Sequence, residues 1–184
     1  MRRTAQKIVA LMLPMLPLSA CGGGEQSRAQ AAPRAPLQYQ PARAAAVATP
    51  SARTYFATAS SIELFEILSS ELALQRSANA RVRDFASRMI QSHKGTSSQL
   101  SLAGRRLNLL PSATLSPTYQ TELDQLRAAA DFDSTYKRQQ IALHRRAISL
   151  HRNYAARGAS PTLRPVAQAI LPVYQRHMQL LRYL

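Results

Sequence analysis

The sequence predicts an all-α fold: a four-helix bundle with a short extra helix in its long connection. Two observations carry this prediction. Apolar residues recur at helical spacing through residues 54–184, and neither strand-like alternation nor a glycine-rich phosphate loop interrupts them. Two pairs of long amphipathic segments are each joined by a short turn, whereas one long segment joins the pairs. Residues 54–184, which are 131 residues, are enough for one domain with its own core.

Residues 1–20 have the features of a lipoprotein signal peptide. Arg2, Arg3 and Lys7 precede an apolar run over residues 8–18, which is too short to cross a bilayer as a helix. The run ends in Leu-Ser-Ala before Cys21, the pattern at which a signal peptide is cut ahead of a lipid-carrying cysteine. We therefore expect cleavage before Cys21 and membrane attachment through lipid on that residue. An exported protein with a chance Ala-Cys pair is the alternative.

Residues 21–53 are predicted to form a flexible tether behind the lipidated cysteine. Alanine is frequent, and Pro33, Pro36, Pro41 and Pro50 break any helix. A flexible chain of this length reaches about 30 Å. Gly22 stands where aspartate would be the usual inner-membrane retention signal, so we expect the outer membrane of a two-membrane bacterium, on the periplasmic side. With one cysteine, the folded part has no disulfide and no thiolate metal site.

Helix boundaries within the domain at residues 54–184 follow from caps and prolines. We expect helix A over residues 54–77 and helix B over residues 79–107, with Asn79 as the cap between them. Ser116-Pro117 begins the short extra helix, and Asp131 begins helix D, which ends before Gly158. Helix E begins at Ser160-Pro161 and runs to residue 184. This wiring is ferritin-like, with two hairpins and one long crossing segment.

The charge is strongly positive. Of the 24 Lys and Arg residues, three lie in the predicted signal peptide, so the mature chain carries 21 basic against nine acidic residues, or +12. Anionic envelope components such as lipid headgroups are the partners that this charge favours. The abundance of arginine and alanine is also explained by genome composition alone. Nucleic acid is not an expected partner, because the chain is exported and has no basic motif interleaved with aromatic residues.

Three histidines and one glutamate stand on the predicted inner faces. His93 follows the heptad-like apolar seam of helix B, and His177 follows the seam of helix E. His144 falls at the edge of the inner face of helix D, and Glu66 shares a face of helix A with apolar and small residues. With a rise of about 1.5 Å per residue, these four lie at one level of the bundle. We expect them to meet.

Other polar residues fit less well at that level. Asp133 is too far from His144 along helix D and is better explained as an acid in the first turn of the helix. His151 lies two turns from His144 and is expected to be a hydrogen-bonded or solvated histidine. Glu63 lies three residues before Glu66 but is rotated about 60° away from it.

Imidazole and carboxylate are ligands for zinc, iron, manganese and copper, so Glu66, His93, His144 and His177 are candidate ligands of one transition-metal ion. A di-iron centre is not predicted, because no glutamate stands three residues before any of the three histidines. The alternative is a metal-free hydrogen-bonded core in a structural or interaction protein. No catalytic residue is identified, an oxidase or peroxidase is the least favoured function, and oligomeric state stays open.

Several short motifs together resemble the bacterial "domain of unknown function 4142" family over residues 55–184. They are Phe65-Glu66-Ile67, Phe85-Ala86-x-x-Met89-Ile90-x-x-His93, Phe132-Asp133-x-x-Tyr136, the isolated His144, and Leu171-Pro172 followed by His177. The resemblance implies a ferritin-like bundle with Glu66, His93, His144 and His177 as its polar core, and it implies no reaction. The family usually has aspartate immediately before the helix-B histidine, where this chain has Ser92.

Overall fold

Five α-helices make up the regular structure of residues 49–184, the part of the chain that this computed structural model describes. Their bounds are α1 Ala52–Arg76, α2 Ala80–Arg105, α3 Pro117–Ala128, α4 Phe132–Arg157 and α5 Arg164–Leu180, followed by a 3-10 turn over Leu181–Tyr183. The all-α prediction is confirmed. The predicted signal peptide, Cys21 and nearly all of the predicted tether lie outside the described residues.

Side-chain caps begin four of the helices. Ser51 accepts a hydrogen bond from the backbone of Thr54 at the start of α1, and Asn79 accepts one from Arg81 at the start of α2. Ser116 and Asp131 do the same for α3 and α4. The predicted caps at Asn79, Ser116 and Asp131 are confirmed, because short polar side chains satisfy the first free N–H groups of a helix.

Helix α5 begins four residues after its predicted start at Ser160. The backbone N–H groups of Leu163 and Arg164 both bond to the carbonyl of Ser160, which closes a turn over residues 161–163. Pro165 has no N–H to donate to the carbonyl of Pro161, so a regular α-helical ladder cannot form there. The prediction placed the helix too early because it used Pro161 and overlooked the second proline.

The end of α4 also differs from the simplest expectation. Gly158 follows α4 with a φ of −61°, so it does not use the left-handed conformation that commonly selects glycine at a helix end. A Cβ atom at this position would lie 2.5 Å from the ring of Tyr154. Packing against Tyr154, and not backbone conformation, therefore requires glycine here.

Each of the four long helices packs against two others in the cyclic order α1, α2, α5, α4, and α3 covers α1 and α4. Contacts run in opposite directions along neighbouring helices: Tyr55 of α1 meets His151 of α4, whereas Ser70 meets Tyr136. The helices therefore form a bundle with antiparallel neighbours. None of the helices between residues 49 and 184 has the length and apolar character needed to span a membrane.

Two apolar clusters fill the bundle, one toward each end. The first contains residues from Tyr55 to Phe65 of α1 with their partners, and the second surrounds Phe85, Met89 and Tyr136. Buried polar side chains lie between the two clusters on all four long helices. Because apolar side chains close this polar layer on both sides, charges within it are poorly solvated and their mutual interactions are strong.

Candidate metal centre

The polar layer brings together side chains that are distant in sequence. Its members have 0–4% relative exposure. They are Glu63, Glu66, Ser69 and Ser70 of α1, His93 and Thr96 of α2, Gln140 and His144 of α4, and His177 of α5. Three of these residues, His93, His144 and His177, form a group in which one nitrogen of each ring lies within 4.8 Å of the others.

His93 is held from outside the group by Glu63. Its Nδ1 lies 2.9 Å from Oε2 of Glu63, and the carboxylate also accepts hydrogen bonds from Thr96 and from the hydroxyl of Tyr174. The other ring nitrogen, Nε2, is buried and has no hydrogen-bond partner. A buried nitrogen without a partner is costly unless something binds it.

His144 is held by the backbone of its own helix. Its Nδ1 donates to the carbonyl of Gln140 at 2.8 Å, which leaves Nε2 with a lone pair. That Nε2 lies 3.4 Å from Nδ1 of His177. The Nε2 of His177 in turn lies 3.3 Å from the hydroxyl of Ser92. Ser92, the residue that departs from the family pattern, therefore contacts His177 and not its neighbour His93.

These distances suit an ion bound between the rings. Metal–nitrogen bonds of 2.0–2.1 Å in tetrahedral geometry place two nitrogens about 3.4 Å apart. The pair His144 Nε2 and His177 Nδ1 has this spacing already, at 3.4 Å, and one nitrogen of His93 lies within 4.8 Å of a nitrogen of each of them. The unpartnered Nε2 of His93 is the atom that such an ion would satisfy.

Glu66 lies beside the histidines on the outer side of His144. Its Oε1 is 3.2 Å from Nδ1 of His144, but the N–H of that nitrogen points to the carbonyl of Gln140. Both carboxylate oxygens of Glu66 are buried without a hydrogen-bond partner. Of the four candidate ligands, the structure thus groups the three histidines and places Glu66 next to them.

Burial sets the protonation of the layer. It raises the pKa of Glu66 to about 8, partly opposed by His93, so that the neutral acid is favoured. Burial, with His93 and Arg176, lowers the pKa of His177 to about 3, and burial with the neighbouring histidines lowers the pKa of His144 well below its ordinary value. Both imidazoles are therefore neutral and able to bind a cation at neutral pH.

His93 differs from the other two histidines. Burial is the largest single influence on the pKa of His93 and lowers it. The charge and the hydrogen bond of Glu63, together with the charge of Glu66, outweigh burial and raise this pKa above its ordinary value. A proton and a metal ion therefore compete for this ring.

Glu63 is the residue that sequence reasoning underrated. It is fully buried and bonds to residues of both α2 and α5. Its position one turn before Glu66 was the available signal, but helical geometry alone could not say which helix covers that side of α1. His151 is buried and bonds to Tyr55 at 3.0 Å, so the expectation of a hydrogen-bonded histidine is confirmed. Asp133 lies in the first turn of α4, as expected.

A family model described as "Domain of unknown function (DUF4142)" matches residues 37–184. The chain belongs to this family. The resemblance that the motifs indicated is thereby confirmed, and the three histidines lie within the DUF4142 domain. No curated protein matches the chain.

Three solved structures, of two proteins, share the helical fold of the DUF4142 domain. A crystal structure of a DUF305 fragment from Deinococcus radiodurans has a TM-score of 0.61 at 15% identity and covers 70% of this chain and 91% of that chain. CopM in the Cu(II)-bound form has a TM-score of 0.62 at 15% identity and covers 74% and 96%. CopM in the Cu(I)-bound form has a TM-score of 0.60 at 16% identity, with coverage of 71% and 92%. At these identities the comparisons show a shared helical fold.

Proposed function

We propose that the DUF4142 domain binds one transition-metal ion through His93, His144 and His177. One observation carries the proposal: three buried imidazoles from three helices place one nitrogen each within 4.8 Å of one another. The bare Nε2 of His93 and the free Nε2 of His144 supply lone pairs, while Glu63 and the carbonyl of Gln140 hold the opposite nitrogens. Metal-binding histidines are commonly held in this way.

Copper is the ion that we propose first, with zinc second. A group of three imidazoles suits copper and zinc better than manganese or magnesium. Among divalent first-row ions, nitrogen sites of a given geometry bind copper most tightly. CopM, which shares the helical fold, has been solved with both Cu(II) and Cu(I), and this supports copper as the first ion to test.

The setting that we propose is the cell envelope. Residues 1–20 would serve as a lipoprotein signal peptide, and lipid on Cys21 would hold the domain at the outer membrane through the tether at residues 21–53. The basic surface would contact anionic envelope components. We interpret the helical bundle as ferritin-like because its two hairpins are joined by a long segment that contains α3. Metal storage or handling, without catalysis, is the role that this arrangement supports.

Elemental analysis of the purified full chain tests the proposal. After equilibration with copper or zinc and removal of unbound ion, we expect close to one ion per chain. Binding should raise the midpoint of thermal unfolding, because the ion binds the native state alone. Replacement of His93 or His177 by Gln should remove most of the bound ion and that stabilisation. A wild-type chain without bound metal, whose unfolding is indifferent to both ions and to chelator, would contradict the proposal.

A metal-free polar core is the second candidate, and one observation favours it. Ser92 contacts His177 at 3.3 Å, and His177 contacts His144 at 3.4 Å. Hydrogen bonds can account for both contacts without a metal ion. In that case the domain is a structural or interaction protein of the envelope. The same His→Gln substitutions would then lower stability by roughly 1–3 kcal/mol through unmade buried hydrogen bonds, with no dependence on metal.

A further inference from the structure

The carboxylate of Glu63 is fixed by donors from two other helices. Tyr174 of α5 donates to Oε1 at 2.9 Å, and Thr96 of α2 donates to Oε2, which also contacts Nδ1 of His93 at 2.9 Å. Glu63 has no exposed surface. Because each of these contacts is buried, the carboxylate cannot rotate without leaving a polar group unpaired.

This fixed carboxylate decides which nitrogen of His93 carries the proton. A carboxylate only accepts hydrogen bonds, so the neutral imidazole must carry its hydrogen on Nδ1. Nε2 then has the lone pair, and it is the buried atom that has no partner. The opposite tautomer would set a lone pair against the carboxylate at 2.9 Å and would bury an N–H without an acceptor.

We infer that Glu63 is the positioning residue of the three-histidine site, because it holds His93 in the tautomer that leaves a lone pair on its unpartnered Nε2. The inference deepens the proposed function and rests on it. Glu63 also places its carboxyl group behind His93, where an ionised form would favour a bound cation in this poorly solvated layer. Loss of a partner of this kind typically lowers metal affinity by about 10–100-fold.

Glu63→Gln in the full chain tests the inference, with Glu71→Gln as the matched control. Gln keeps the size of Glu63, but its amide can donate to Nδ1 as well as accept from it, so the tautomer of His93 is no longer fixed. Glu71→Gln makes the same change on α1 at a partly exposed residue outside the polar layer. In copper and zinc competition titrations we expect affinity to fall by about 10–100-fold in Glu63→Gln and to stay unchanged in Glu71→Gln. The Cu(II) electron paramagnetic resonance spectrum should change in Glu63→Gln alone.

The outcomes separate the inference from the proposed function. A wild-type chain that binds neither ion contradicts both. A wild-type chain that binds metal, with Glu63→Gln equally tight and spectroscopically identical, leaves the proposed function standing and overturns the role of Glu63. If Glu63→Gln and Glu71→Gln weaken binding alike, Glu63 acts only through the overall charge of α1 and the inference is wrong.

The tautomer of His93 can also be measured in the wild-type chain, so this test does not depend on whether a variant folds. The ¹⁵N chemical shifts of histidine ring nitrogens report which nitrogen carries hydrogen. In the metal-free chain, at a pH high enough for His93 to be neutral, we expect hydrogen on Nδ1 alone, and we expect metal to shift the Nε2 resonance. Hydrogen on Nε2 of neutral His93 would overturn the inference whatever the titrations show.

Discussion

Glu63 and Glu66 lie one helical turn apart on α1, and neither has exposed surface. Glu63 receives hydrogen bonds from Thr96 and Tyr174 and contacts His93, whereas both oxygens of Glu66 lack a partner. Burial favours the neutral form of a carboxyl group and raises the pKa of Glu66 to about 8, although His93 and the side chain of Gln140 partly oppose the shift. The two acids therefore differ through their neighbours, although they share one helix and one layer.

We expect the stability of the metal-free chain to be greatest near pH 6.5. The pKa values of His151 and His177 are lowered by burial to about 4 and about 3, so the stability they contribute is lost as the pH falls below 6.5. The pKa of Glu66 is raised from 4.5 to about 8, so its contribution is lost between those two values, and the raised pKa of His93 adds a further loss as the pH rises above 6.5. Below pH 6.5 more histidines than carboxyl groups have shifted pKa values, so a fall in pH lowers the free energy of unfolding.

Urea unfolding across the pH range, in the presence of chelator, measures this profile. Each group that is protonated in one state and not in the other changes the free energy of unfolding by at most about 1.4 kcal/mol per pH unit. In Glu66→Gln the decline between pH 6.5 and about 8 should become shallower, because His93 is then the main group whose raised pKa acts in that range. An alkaline decline as steep as that of the wild type would show that Glu66 is not the buried neutral acid described above.

At the scale of the helix, α5 positions His177 after an interior proline. Pro172 lies inside α5 and is exposed, one turn before His177. It cannot donate to the carbonyl of Gln168, and its ring crowds the preceding turn. His177 nevertheless points into the bundle with 4% exposure. We infer that the backbone adjustment at Pro172 sets the direction of this ring.

Pro172→Ala should therefore stabilise the fold and weaken metal binding. Alanine restores the bond to Gln168, worth about 1 kcal/mol, and removes the crowding of the ring. The regular helix should move His177 away from His144 and lower metal affinity. Calorimetry and metal titration measure the two effects. Pro165→Ala is the control, because Pro165 lies in the first turn, where no N–H is needed. Unchanged affinity in Pro172→Ala would contradict a positioning role.

The helices show what the sequence could and could not predict. His93 and His177 stand in clear apolar seams, so their burial followed from periodicity, and Asn79 and Asp131 marked helix starts by their side chains. The role of Glu63 and the contact of Ser92 with His177 depend on which helices are neighbours and on their relative rotation. One chain's periodicity carries no information on either, which is why these two residues became clear only in the structure.

At the scale of the whole molecule, charge is distributed unevenly. Between residues 132 and 184 nine Lys and Arg residues face a single acid, Asp133, whereas residues 52–128 carry nine basic and six acidic residues. Arg138, Arg145 and Arg152 recur every seven residues along α4, are exposed, and form no ion pair with any acid among the described residues. Arginine rows of this kind suit phosphate groups. If anionic lipid is a partner, α4 is the helix that should contact it.

Experiments on the full chain with Cys21→Ser test both the contact of α4 with anionic lipid and the lipid anchor. Without lipid on the cysteine, we expect the chain to leave the membrane fraction in cells, because that lipid is the anchor that we propose. In vitro it should still bind vesicles that contain phosphatidylglycerol, but not phosphatidylcholine alone, and salt should weaken the binding.

The position of the charges, and not only their number, should determine that binding. Replacing Arg138, Arg145 and Arg152 with Gln removes three charges from α4, and replacing Arg81, Arg88 and Arg105 removes three exposed charges from α2. At about 1 kcal/mol for each arginine near an anionic surface, the α4 variant should bind roughly 100-fold less tightly. The α2 variant should bind nearly as tightly as the parent. Retention of Cys21→Ser in membranes after high-salt washing would contradict the lipid anchor. Equal losses of vesicle affinity in the α4 and α2 variants would mean that net charge alone drives the attraction.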